Sequence, residues 1–391
     1  MIARSRPFRN PLIGLVAMLS ALVLAGCDPV AVGGGGPRID ARAPVPVALL
    51  VPGGSTQGED EVLARSLRNA AELAASDLDG VEIDLRVYNT AGSAAQAASA
   101  ATRAVEEGAK IILGPVYAQS ANAAGRAAAA RNVNVLAFSN NTSIAGGNVF
   151  VLGPTFQNTA DRLSRFALSR GRNAIMVVHE RNVAGEAGRA AITSAVQGAG
   201  GRVASVESYE FSQNGVVDAV SRIAGSARST GADAIFFTAD TAGALPLLTQ
   251  LLPENGVDPQ TIQFIGLTRW DIPPATLALP GVQGAWFALP DPQLSNRFYS
   301  RYTEAFGEAP HSIAGLAYDA IAAVGALVQR DQSNALTAAA LTQASGFVGV
   351  NGVFRLRPDG TNQRGLAVAQ ISNNQVVVID PAPRSFGGAG Y

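Results

Sequence analysis

From residue 44 onward, short apolar runs alternate with longer helix-forming stretches, and this alternation constrains the fold more than anything else in the chain. Residues 44–51 (PVPVALLV), 110–113, 133–138, 174–179 (AIMVVH), 234–238 (AIFFT) and 263–267 are short and rich in branched side chains, so they read as buried strands. Between them, 59–78, 92–107, 118–131, 185–197, 216–229 and 241–252 carry alanine-rich or amphipathic patterns of helical period. Strand, helix and strand in that order make parallel sheets covered by helices, which is the α/β class. The pattern restarts after Gly153-Pro154-Thr155, so two successive lobes are expected, each with its own core. Helices near 295–306, 312–329 and 335–343 follow, then strands at 352–356 and 366–371, the latter joined through Asn373-Asn374 to 376–379 as a hairpin.

The segment 108–142 is the most informative about function. Two strands of one βαβ unit end in small or polar residues, Gly114 to Ser120 after the first and Ser139-Asn140-Asn141-Thr142 after the second. Open parallel sheets bind ligands at that edge. Ordinary turns with capping Ser and Asn would show the same residues, so both readings stand at this point.

Ahead of the first strand the chain has another character. Arg4, Arg6 and Arg9 precede an apolar run, 12–25, too short for an ordinary membrane span and suited to a secretory leader. Leu24-Ala25-Gly26-Cys27 follows and resembles the lipobox of bacterial lipoproteins; Cys27 is the sole cysteine, so it is the expected site of lipidation. Residues 1–26 are expected to form the signal peptide and 27–43, rich in Gly and Pro, a flexible tether. Removing 1–26 takes three arginines and no acid, moving the net charge from −1 to about −4. With one lysine, Lys110, and scattered arginines, nucleic acid is not an expected partner.

Apparatus for catalysis is not visible. His179 and His311 are the two histidines and fall in no metal-ligand spacing, so each is expected to be structural or on the surface. Neither a G-x-S-x-G elbow, an S-x-x-K motif nor a phosphate-binding loop occurs, and Gly198 to Val203 lies between helix and strand, a helix stop rather than a dinucleotide fingerprint. No catalytic residue, metal or cofactor is expected. Trp270 and Trp286 are candidate cleft aromatics, Trp286 reading more as core.

Val47 to Pro52, Ile112-Leu113-Gly114-Pro115, Val178-His179-Glu180 with Gly185-Glu186, and Gly352-Val353-Phe354 with Asp359-Gly360 together resemble the type I periplasmic binding proteins, the leucine-binding family. The resemblance implies two lobes, each a mostly parallel sheet flanked by helices, joined by three hinge crossings. It places the N-terminal lobe at 44–153 and 289–345, the C-terminal lobe at 154–288 and 346–380, and a disordered tail at 381–391. Crossings are expected near 153–156, 285–289 and 346–351, where Gly and Pro absorb backbone change. By the same resemblance, Tyr117, Ala118, Ser120, Ser139, Asn140, Asn141 and Thr142 supply donors to a ligand carboxylate. In the second lobe the family's aromatic and carboxylate positions hold Ala184, Asp240 and Thr268; Asp240 or Asp271 substitutes for the carboxylate that pairs a ligand ammonium.

Leu113-Gly114-Pro115-Val116, Asn134 to Phe138 and Phe150 to Pro154 are similar to the penicillin-binding-protein activator lipoproteins, which stimulate a peptidoglycan synthase. The long helical-repeat domain that precedes this fold in enterobacterial activators is not expected here, since only the short tether precedes residue 45. Asp28 after Cys27 resembles an inner-membrane retention signal. Two functions are therefore expected: a non-enzymatic regulator partnered by a peptidoglycan synthase, placed first, and the solute-binding subunit of an ABC importer, partnered by a permease and holding an amino acid or related small polar ligand. Either would sit at the periplasmic face of the envelope, touching the membrane only through its lipid anchor.

Overall fold

A computed structural model describes residues 36–387; the expected leader, the Cys27 lipidation site and most of the tether lie outside them. Strands β1 (Val45–Val51), β2 (Ile83–Asn89), β3 (Ile111–Leu113), β4 (Asn134–Ala137) and β5 (Val149–Val151) form one parallel sheet in the order β2-β1-β3-β4-β5. The run VPVALLV is apolar on both faces because β1 is central and covered on both. Strand β2 alternates apolar and charged residues because it is an edge. Helices α1 (Gly58–Ser76), α2 (Ala94–Glu106) and α3 (Ala118–Ala129) connect these strands. The small residues of α3 allow close docking: a Cβ on Gly125 would meet Val149 Cγ2 at 2.2 Å.

The second sheet is mixed. Strands β6 (Ala174–Glu180), β7 (Arg202–Tyr209), β8 (Ala234–Phe237), β9 (Gln263–Gly266) and β10 (Trp286–Leu289) run parallel. Helices α4 (Phe156–Ser169), α5 (Val183–Gly198), α6 (Gln213–Ser229) and α7 (Leu245–Glu254) flank them. The chain then returns to the first lobe: α8 (Pro292–Phe306) and α9 (Gly315–Asp331) place Phe298, Leu316, Ile321 and Val324 in one core with Val47, Leu49 and Leu67. The helix expected at 335–343 is reduced to α10 (Ala338–Leu341).

Strands β11 (Phe347–Gly349), β12 (Gly352–Leu356) and β13 (Asn362–Arg364) make a small antiparallel sheet. Phe347, Phe354 and Leu356 pack into the first core, so the stretch expected to cross at 346–351 is instead a strand attached to the first lobe. The chain leaves that sheet at Gly365-Leu366 and enters the second sheet through β14 (Ala367–Ser372) and β15 (Gln375–Asp380), both antiparallel to their neighbours. Asn373 and Asn374 hold φ of 51° and 61°, the left-handed pair a two-residue hairpin turn requires. The other crossings run through residues 152–155 and 290–291; the expected 285–289 segment is β10 itself. Residues 381–387, expected to be disordered, have no helix or strand, yet Ala382 is buried in the second core and Arg355 stacks 4.7 Å over Phe386.

Candidate ligand cleft

Parallel pairing brings the ends of β3 and β4 to one edge, with the loops 114–117 and 138–141 side by side. At Gly114, φ is +80° and a Cβ would stand 2.3 Å from Leu50 O, so this tight turn admits only glycine. It delivers Tyr117 to the start of α3 with its ring 40% exposed. The Tyr117 hydroxyl donates to Oδ1 of buried Asp60, and that bond, with burial and the carboxylate charge, pushes the phenol up to about 12. Ala118 is half-buried beside it. Ser120 faces inward: it is fully buried and donates to Gly92 O at 3.4 Å, so its hydroxyl is part of the packing.

The second loop is a capped turn. Ser139 Oγ accepts from Asn141 N at 3.1 Å, and Asn141 Oδ1 accepts from Ser143 N at 2.9 Å, which leaves Asn140, Asn141 and Thr142 exposed at the rim. Ser139 is buried, and its carbonyl accepts from Gly153 N at 3.1 Å, tying this turn to the first crossing.

On the second lobe, the loops after β8 and β9 are joined. Thr268 Oγ1 donates to Ala239 O at 3.5 Å, and Thr241 Oγ1 donates to Ile272 O at 2.6 Å. These bonds bring Asp240, Thr268 and Asp271 to one edge. They differ in what they have left to offer. Asp271 is taken up by Arg269 in a two-pronged pair, 2.6 and 2.5 Å, whereas Asp240 is exposed. Among the described residues no hydrogen bond or ion pair joins these loops to those at 117–142.

Sequence reasoning missed the most distinctive carboxylate. Glu180 ends β6, is 7% exposed, and accepts from Tyr209 Oη at 3.1 Å and Asn182 Nδ2 at 2.8 Å. Burial first, then the Glu180 charge, drives the Tyr209 phenol strongly upward, so it stays a donor. Among the described residues neither Glu180 nor Asp240 has an ion-pair partner. A Cβ on Gly243 would lie 2.9 Å from Asp240 Oδ1, 3.4 Å from Phe211 and 3.7 Å from Glu180 Oε1, so both carboxylates and an aromatic ring converge there. The signal was a charge closing the apolar run AIMVVHE, at the sheet edge where function concentrates. Val183, Phe211 and Ile272, 89%, 61% and 51% exposed, add apolar surface along this edge.

An open cavity of about 410 Å³ joins the lobes beside this edge, lined by Arg269, Asp271, Asn296, Tyr299, Asn351 and Val378 among others; of the predicted residues only Asp271 reaches it. Trp270, a candidate cleft aromatic, is fully buried: its ring packs over Gly266, where a Cβ would come within 2.4 Å. Trp286 is buried edge-on to Phe166 at 5.0 Å. His179 is buried with Nδ1 3.0 Å from Glu180 O. Among the described residues no group of three or more His, Cys, Asp or Glu could hold a metal, and no helix is long and apolar enough to cross a membrane.

Residues 44–375 match a family model described as periplasmic binding protein. No curated protein matches in sequence. Solved structures that share the fold include the following three. One, described as a putative branched-chain amino acid ABC transporter from Rhodospirillum rubrum, is 20% identical with a TM-score of 0.72, covering 86% of this chain and all of that one. A branched-chain amino acid ABC transporter periplasmic ligand-binding protein from Burkholderia xenovorans LB400 is 18% identical, TM-score 0.67, over 88% and 97% of the two chains. An ABC transporter substrate-binding protein from Desulfitobacterium hafniense in complex with Leu is 16% identical, TM-score 0.63, over 86% and 100%.

Proposed function

The chain belongs to the periplasmic binding protein family, of the leucine-binding type, and from that premise we propose that it is the solute-binding component of an ABC importer. It holds a small ligand carrying a cationic group between its lobes and does not transform it. The observation that carries the ligand class is the Glu180–Asp240 locus, two carboxylates without a cation, at the edge where parallel sheets bind ligands. Backbone and side-chain donors at 139–142 suit the opposite, anionic end of an amino-acid-like ligand, and Val183, Phe211 and Ile272 suit an apolar body. Lipid attachment at Cys27 would leave the domain at the periplasmic face, delivering its ligand to a permease.

This order reverses the preference drawn from sequence, because the similar structures are described as ABC transporter components. Thermal-shift screening against amino acids, their amides and muropeptides tests the proposal. A ligand held between lobes stabilises by about 3 kcal/mol at a hundredfold excess over its dissociation constant. A shift with a cation-bearing amino acid is the expected result. No shift across the set, together with crosslinked recovery of a penicillin-binding protein from envelopes, would overturn the importer reading in favour of the synthase regulator.

A further inference from the structure

The three crossings meet around one buried ion pair. Arg364, at the end of β13 and just ahead of the Gly365-Leu366 crossing, donates from Nε and Nη2 to Leu152 O on the first crossing. Its Nη1 lies 3.5 Å from Oδ2 of Asp319 on α9, and its guanidinium stacks 5.2 Å over Phe354. Neighbouring Asn362 donates to Val151 O and Gly153 O, both at 2.8 Å, and accepts from Asn158 Nδ2 on α4. A small cavity of about 70 Å³ adjoins Arg364 and is lined by Pro154, Pro290, Asn351 and Leu366, one or more residues from each crossing.

We propose that the Asp319–Arg364 pair is a positioning latch for the lobes: while Asp319 is charged it holds Arg364, and through it the first and third crossings, in one geometry, and loss of that charge frees the lobes to reorient. Asp319 is fully buried on the first lobe and accepts from Val350 N at 2.7 Å; its Oδ2 makes no hydrogen bond. The groups facing it are Arg364 from β13 and, from the β11–β12 turn, the Val350 N–H and the Asn351 amide; among the described residues Arg364 is its sole ion-pair partner. Breaking a buried pair by neutralising one member leaves the other charge without compensation in a dry site. The adjoining cavity gives the guanidinium a route to water, and taking it moves the contact to Leu152. Burial outweighs Arg364 and raises the Asp319 carboxyl to about 6, so the charge is lost within a mildly acidic range.

The test uses spin labels at Gln119→Cys and Ala242→Cys, both exposed and on opposite lobes, in the full chain with Cys27→Ser. Interlobe distance distributions are read by double electron–electron resonance, with unfolding free energy measured alongside. Expected is a distribution at about pH 5 roughly twice as wide as at about pH 8, and an Asp319→Asn chain wide at both. A wild-type width independent of pH overturns the latch, as does Asp319→Asn behaving like wild type at high pH. Should Asp319→Asn not fold, the wild-type series still decides: broadening with loss of stability means partial unfolding and refutes the proposal, whereas broadening with stability kept or raised supports it.

Discussion

Glu180 and Tyr117 are both polar residues at the cleft edges, but their surroundings give them different roles. Glu180 is held by neutral donors, so its carboxylate has no counter-ion among the described residues. Replacing it by Gln keeps the shape and removes the charge; affinity for a cation-bearing ligand should fall by about 1.5–3 kcal/mol, roughly ten- to hundredfold, as calorimetry with a ligand found by thermal shift would report. Tyr117 instead serves Asp60. Tyr117→Phe leaves a buried carboxylate short of a donor and should lower unfolding free energy by about 1–3 kcal/mol in urea titrations. Sequence could place the loops at one sheet edge, since that follows from strand order. It could not tell that Ser120 points inward or that Arg269 occupies Asp271, because those depend on side-chain direction across contacts distant in sequence.

At the scale of elements, periodicity was a sound guide wherever a strand is central or a helix long, as with 44–51 and α1. It was weaker for short pieces. Residues 346–351 read as a flexible crossing because Gly is frequent there, yet Phe347 is drawn into a core built by helices far away in the chain. Helix–sheet docking supplies a sharper test. Gly125 of α3 lies against Val149 so closely that any side chain must displace it. Gly125→Val should destabilise by about 1–3 kcal/mol through overpacking despite a more favourable helix propensity, and denaturant melts would show it. An Asn374→Gly change at the β14–β15 turn, where φ is already left-handed, should be neutral or mildly stabilising in the same assay.

For the whole molecule, the buried pair makes a prediction about acid. Burial pushes the Asp319 carboxyl up to about 6 in the folded chain, against an ordinary carboxylate value of about 3.8 in the unfolded one, so the native state binds that proton more tightly. Its contribution to stability is therefore fullest below about 3.8 and lost as pH rises through about 6. The unfolding free energy of wild type minus that of Asp319→Asn should rise by about 2 kcal/mol between pH 7 and pH 4.5, read by chemical denaturation at each pH.

The first lobe is assembled from separated parts of the chain: β1 to β5, then α8 and α9, then Phe354 and Leu356. While a ribosome is still making the second sheet, the core of β1 and α1 is covered on one side only, because α9 has yet to be made. A nascent molecule therefore cannot finish this half until residues as far as Leu356 have been synthesised. Until then the uncovered apolar side chains are open to non-specific association.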